Sequence, residues 1–168
     1  MKKIGFTLIE LMVVVTILMI ISGGSFVYLN RFGATQKLEQ SRRKIVDNLR
    51  LARNYALTNQ TKGGDGLLYV EVEIGSDGTM EALANGEAGL SYFSEDVTES
   101  GVSLVKSPNG SVFFSAYEGK LLKANSSPPP DFVPVGIDET VRIVISSTAV
   151  VGETRVVKIL PSGLINEK

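Results

Sequence analysis

MKKIGFTLIELMVVVTILMIISGGSFVYL, residues 1–29, joins a short basic start to an apolar run that extends from Phe6 to Leu29. At about 1.5 Å of rise per residue, a helix over that run is long enough to cross the roughly 30 Å hydrocarbon core of a bilayer. Helices in the core of small globular domains are shorter. Glu10 is the only charged side chain in the run, and a charge deep in a bilayer costs on the order of 2.5 to 3.5 kcal/mol on insertion scales. The carboxylate at position 10 therefore needs a reason, and the residues around it allow three.

One is a conventional secretory signal. Lys2 and Lys3 form a basic start, Leu11 to Ile21 an apolar centre, and Ser22, Gly23, Gly24 and Ser25 a small-residue cleavage site. A carboxylate just inside the apolar region weighs against it, as does the amphipathic pattern that resumes after Ser25. The second is a plain single-span anchor in which Thr7 and Glu10 form a capping box, Ser/Thr followed three residues later by Glu. The third rests on the string KKIG-FTLIE. It resembles the leader and mature start of type IV pilins and of type II secretion pseudopilins: a basic leader ending in Gly5, then Phe6, then Glu10 as the fifth residue of the mature chain.

That resemblance implies cleavage between Gly5 and Phe6 by a membrane-embedded prepilin peptidase, and methylation of the new Phe6 amine. It also implies that Glu10 meets the N-terminal ammonium of a neighbouring subunit in a filament. Each charge is costly alone in low dielectric and less so when paired. Leu8, Ile9, Leu11, Val13, Val14 and Val15 would then form the filament core. Gly23 and Gly24 weaken a helix by roughly 1 kcal/mol each relative to Ala. They fit either a local loss of helicity on assembly, where many major pilins carry a proline and this chain has Val27, or close packing between membrane helices. The implied partners are the prepilin peptidase, other pilin or pseudopilin subunits, an inner-membrane assembly platform and the lipid bilayer. The implied location is the cytoplasmic membrane, single-pass with the head outside, and then a pilus or pseudopilus. Charge alone would orient the chain the other way, because Arg31, Lys37, Arg42, Arg43 and Lys44 outnumber Lys2 and Lys3. The orientation rests on the resemblance.

Past Leu29 there is room for one domain with a modest core. The chain has no Cys and no His, hence no disulfide, no thiol nucleophile and no imidazole base or ligand. From Arg31 to about Asn59, Leu38, Ile45, Leu49, Ala52 and Ala56 line one face of a 3.6-period helix, with Lys37, Arg43 and Arg50 opposite. Gly63 and Gly64 are the expected stop. If this helix continues the apolar run, it spans some 80 Å.

Beyond Gly66 the period changes to two: Leu68, Val70, Val72 and Ile74 alternate with Tyr69, Glu71 and Glu73, ending in the turn Gly75-Ser76-Asp77-Gly78. Further strands are expected at Val102 to Lys106 and Ser111 to Ala116, joined by the turn Ser107-Pro108-Asn109-Gly110. Two more are expected at Thr140 to Ser146 and Thr154 to Leu160, with Ser126 to Pro130 as an extended surface loop. The fold class is α+β, a long transmembrane and stalk helix packed on a small antiparallel β head. The leader covers 1–5, the helix 6–60 (apolar over 6–29, amphipathic over 30–60) and the head 61–168.

Phe113-Phe114 with Gly119 downstream, then VRIVISS and TRVVKILPSGLI, together with LRLARNYALTNQ in the helix, resemble the H-type minor pseudopilins and FimT-like minor pilins. The segment Arg31 to Lys62 holds eight basic residues against Glu39 and Asp47, while Glu71, Glu73, Asp77, Glu81, Glu87, Glu95, Asp96 and Glu99 all precede the next lysine, Lys106. An acidic head repels phosphate backbones, which argues against nucleic acid as a partner. Glu95-Asp96 and Asp138-Glu139 read as solvated charge. No nucleophile elbow, phosphate loop or zinc spacing is present, and the turns at Asp65 and Asp77 do not follow the EF-hand pattern. Neither enzymatic activity nor a cofactor or metal is expected. The sequence points to a structural subunit of a type IV pilus or type II secretion-like filament, most like a minor pilin or pseudopilin. A DNA-uptake or surface-binding minor pilin, a major pilin and a secreted β domain are the alternatives.

Overall fold

In the computed structural model, which describes residues 7–60, 66–75, 77–87, 89–107, 111–124, 132–136, 139–150 and 152–167, helix α1 runs unbroken from Leu8 to Leu57. Its 50 residues span about 75 Å. Gly23 stays helical within it. The end falls earlier than Gly63-Gly64, which lie outside the described residues. Thr58 caps the helix, and Asn59 adopts the left-handed conformation at φ 48°. The Asn59 amide donates to the Ala56 carbonyl and the Gln60 amide to the Tyr55 carbonyl, both at 3.3 Å. This is a Schellman closure with Asn in place of the usual glycine.

Among the described residues the head contains ten strands: β1 (Tyr69–Ile74), β2 (Thr79–Ala84), β3 (Ser91–Asp96), β4 (Val102–Ser107), β5 (Val112–Ser115), β6 (Leu121–Ala124), β7 (Phe132–Pro134), β8 (Val141–Ser147), β9 (Thr154–Ile159) and β10 (Ile165–Glu167). They form two antiparallel sheets, one in the order β3-β2-β1-β5-β6-β7 and one in the order β10-β9-β8-β4. The helix face expected from the sequence is the one the head covers: Leu38, Ile45, Leu49, Ala52 and Ala56 are all fully buried. They share one core with Val70, Val72, Met80 and Phe114 of the first sheet and with Ile143, Ile145, Val157 and Ile159 of the second.

Three expectations for the strands fail. Leu68 is exposed and Leu67 is buried, because the alternating ladder starts only at Tyr69 and the chain before it obeys no pleat. β4 and β5 do not form a hairpin about Ser107 to Gly110: they belong to different sheets, and Pro108 to Gly110 lie outside the described residues. β2, β3, β6 and β7 were not anticipated. The sequences TMEALA and SYFSED lack a clean alternation of large apolar residues, and β6 and β7 have only four and three residues. Ser126 to Pro130 lie outside the described residues.

Polar contacts lock the upper helix to both sheets. The buried Ser41 hydroxyl accepts from the Glu99 amide at 3.0 Å, and Lys44 pairs with Glu99 at 2.8 Å. Thr35 donates to the Glu153 carboxylate at 2.8 Å. Glu39 is held by Arg42 and Arg43 on its own helix and by Arg155 of β9 at 3.7 Å. The Arg42 hydrogen bond, then the Arg42 and Arg43 charges, hold the Glu39 carboxyl below its ordinary 4.5 against the opposing effect of burial. At the far end Arg53 donates to the Gly119 carbonyl at 3.1 Å and to the Ser162 carbonyl at 3.4 Å. Gly163 is needed there. Its φ is +76°, and a Cβ would sit 1.9 Å from the Gly119 oxygen.

Phe114 is fully buried between β1 and β6, so Phe114→Ala should cost about 3 to 5 kcal/mol in chemical denaturation of the full chain in detergent. A depressed carboxyl pKa stabilises the fold above its unfolded value and loses that contribution as pH falls through the folded one. Glu39→Gln should therefore flatten the fall in melting temperature between about pH 5 and pH 3. An unchanged slope would mean that the Glu39 cluster adds nothing to the joint between helix and head.

Candidate functional site

The part of α1 that the head leaves uncovered is also the part with the unusual composition. Among the described residues, no core residue precedes Ala34. Below it, twelve large apolar side chains from Leu8 to Ile21 stand exposed, from Leu8 at 78% to Val15 at 40%. Among them are Ile9, Leu11, Val13 and Val14, each expected to pack against a neighbour. Fully burying one such side chain is worth about 1.5 to 3 kcal/mol, so covering the whole set contributes on the order of 10 kcal/mol or more. That exceeds the 2.5 to 3.5 kcal/mol, in round terms, charged to a carboxylate taken into a bilayer. The one hydroxyl between Leu11 and Ile21, that of Thr16, donates to the Met12 carbonyl at 2.8 Å, which satisfies it without water. A Cβ at Gly23 would meet nothing within 4 Å, so no internal packing of this chain requires glycine there. Gly5, Phe6 and the surroundings of Gly24 lie outside the described residues.

Thr7 and Glu10 form the capping box read from the sequence. The Glu10 amide donates to Thr7 Oγ1, and the Thr7 amide and hydroxyl donate to Glu10 Oε2, all at 3.4 Å. These bonds are at the long limit and correspondingly weak. Among the described residues Glu10 has no ion-pair partner. The carboxylate therefore sits exposed in the first helical turn, where the helix dipole favours a negative charge. Among the described residues no helix is long and apolar enough to cross a membrane. The described side chains of the apolar run end at Gly23 and resume at Leu29.

A feature absent from the sequence reading is a cavity of about 450 Å³ where the head meets the helix, lined by Leu29, Gly33, Lys37, Ser100 and Ser147 among others. Lys37 crosses it to donate to the Ser100 hydroxyl at 2.9 Å. The contact joins residues 63 positions apart, so no local pattern announces it. The acidic turn at Asp77 is closed internally: Asp77 accepts from the Thr79 amide and hydroxyl, which hold its carboxyl below the ordinary range, and Gly78 takes φ +92°. Asp65 and Asp138 lie outside the described residues.

Residues 1–26 match the family described as the prokaryotic N-terminal methylation motif. Two crystal structures of the type IV minor pilin FimU of Pseudomonas aeruginosa strain PAO1 share the fold. One, in space group P21, matches at a TM-score of 0.58 and 14% identity, covering 82% of this chain and 92% of that one. The other, in space group P65, matches at 0.54 and 14%, covering 77% and 91%. The chain therefore joins a prokaryotic N-terminal methylation motif to a fold like that of a type IV minor pilin. At the level of sequence, no curated protein matches it significantly.

Since, among the described residues, the head takes no core residue from below Ala34, a chain beginning at Leu29 should keep the head fold and stay monodisperse without detergent. Circular dichroism and size-exclusion chromatography check this. Loss of the β signal in that chain would show that the apolar half of α1 holds the head together.

Proposed function

We propose that this protein is a structural subunit of a type IV pilus or type II secretion-like filament, assembled from the membrane through its N-terminal helix. The observation that carries the reading is the uncovered apolar half of α1 with one exposed carboxylate in its first turn, within the residues that match the methylation motif. Residues 1–5 are the leader. Prepilin peptidase cleaves between Gly5 and Phe6, and the Phe6 amine is methylated. Residues 6–29 then store the subunit in the cytoplasmic membrane with the head, 61–168, on the outer side and 30–60 as its stalk.

On extraction by the inner-membrane assembly platform, Leu8, Ile9, Leu11 and Val13 to Val15 exchange lipid for neighbouring helices. Glu10 exchanges its weak cap for the ammonium of the adjacent subunit. Gly23 and Gly24 are positions of close helix approach, a role supported by the open space around Gly23. Within the class, the minor-pilin reading, most like the H-type and FimT-like proteins, is supported by the likeness of the fold to a minor pilin. No enzymatic step is assigned to the chain.

The capping box gives a local account of Glu10 that competes with the charge account, and one pair of variants separates them. Gln at the third helical position still supports a capping box, whereas Ala does not. If the charge matters, Glu10→Gln and Glu10→Ala should both be processed, with an N-methylated Phe6 as the mature end by peptide mass, and both should fall at least about tenfold in sheared filaments, roughly the change that 1.4 kcal/mol of lost pairing produces. Normal incorporation of Glu10→Gln would remove the charge from the mechanism. A mature end near Ser25 would make the chain a secreted domain.

A further inference from the structure

The outer faces of the two sheets carry opposite charges, each set in an arrangement unfavourable to an isolated subunit. In the first sheet, Glu73 of β1 stands directly opposite Glu81 of β2, on the face turned away from the buried Val72, Met80 and Ala82. Glu71, two residues before Glu73, shares that face by the pleat. In the second sheet, Arg142 of β8 stands directly opposite Lys158 of β9, on the face turned away from the buried Ile143, Ile145, Val157 and Ile159. Like charges directly opposite on antiparallel neighbours repel.

By contrast, Glu39, Glu99 and Glu139 have cationic partners. Among the described residues, Glu71, Glu73, Glu81, Arg142 and Lys158 have none. Two residues along the ladder from the Arg142–Lys158 pair, and so on the same face, Val105, Val144 and Val156 form an apolar row across β4, β8 and β9, and Val105 is 59% exposed. The basic face is therefore part apolar, as the centre of a protein contact tends to be.

We propose that the Glu73–Glu81 face of one copy docks on the Arg142–Lys158 face of a second copy. The inference rests on the assembly reading above and names a head-to-head surface for it. The contact relieves both like-charge pairs at once and covers Val105. It joins two different faces, so each copy keeps one face free for the next, and a heterologous contact of this kind propagates as an open helical array when its rotation does not close a ring.

The chain contains no cysteine, so introduced thiols report the contact cleanly. In the full chain, expressed in cells that process and assemble it, Glu73→Cys combined with Lys158→Cys should give a disulfide ladder of dimers, trimers and longer species on oxidation, and neither single variant should. In that background Glu81→Lys should reduce the ladder by roughly threefold or more, the scale of one to two exposed ion pairs, and adding Arg142→Glu should restore it. No ladder from the double variant, a dimer from either single variant, or cross-links only to a different protein would each overturn the proposal. The N-terminal mass of the same sample distinguishes the two failures. Methylated Phe6 without a ladder removes the docking surface and leaves the assembly reading standing; an unprocessed N-terminus removes both.

Discussion

One constraint governs the molecule: α1 has more apolar surface than its own head covers. The helix is one continuous element of 50 residues, yet the core takes its face only from Ala34 onward. The hydrophobic effect has no direction and scales with area removed from water, so the lower half requires a non-aqueous neighbour without specifying which. Lipid chains satisfy it and so do other helices. A surface indifferent between the two can leave one for the other at small net cost. A subunit that is stored in a membrane and later built into a filament needs that property. The polar joints at Thr35, Ser41, Lys44 and Arg53 fix the head against the upper helix, so the load of such a transfer falls on the lower half alone.

In the assembly proposed above, Glu10 supplies what the apolar surface lacks, a point that distinguishes one axial position from another. Sliding one apolar helix along another changes little, whereas a carboxylate in low dielectric gains strongly only at the position of a partner charge. The capping box and the proposed intersubunit pairing are compatible in this geometry. The cap keeps the carboxylate in the first turn, and its three contacts at 3.4 Å are weak enough to be given up. A carboxylate tightly bonded within its own chain would have no reason to register a neighbour.

What was legible in the sequence was what repeats locally. Leu38, Ile45, Leu49, Ala52 and Ala56 announce the buried helix face because a 3.6-residue period is written in the order of the residues themselves. VRIVISS and TRVVKI announce β8 and β9 because β-branched residues crowd there. Glu10 stood out in the sequence by its cost in an apolar run, and the structure adds that it is exposed in the first turn and held only by a weak cap. The misses lie where the decision is non-local or conformational. Asn59 closes α1 because its carboxamide side chain tolerates the left-handed region, ahead of the glycines that composition favours. Thr79–Ala84 forms a strand because β1 and β3 flank it, although Ala and Glu are poor strand formers. The pairing of Lys37 with Ser100 and the assignment of β4 and β5 to separate sheets depend on tertiary topology.

The sheet faces show why register matters as much as composition. An acidic head can be read from the sequence, but a single-residue slip between β1 and β2 would turn Glu73 away from Glu81 and toward the core, so only the observed pairing places the two carboxylates together. The same holds for Arg142 and Lys158. Sequences shaped to fold tend to keep local choices consistent with the whole, and the exceptions collect where function demands them. Here two such exceptions have opposite sign and lie on separate sheets, while the Glu39 cluster between helix and head is balanced by three arginines. Repulsion tolerated on outward faces, beside an exposed valine, is a cost that the isolated subunit bears and the proposed contact between subunits would remove.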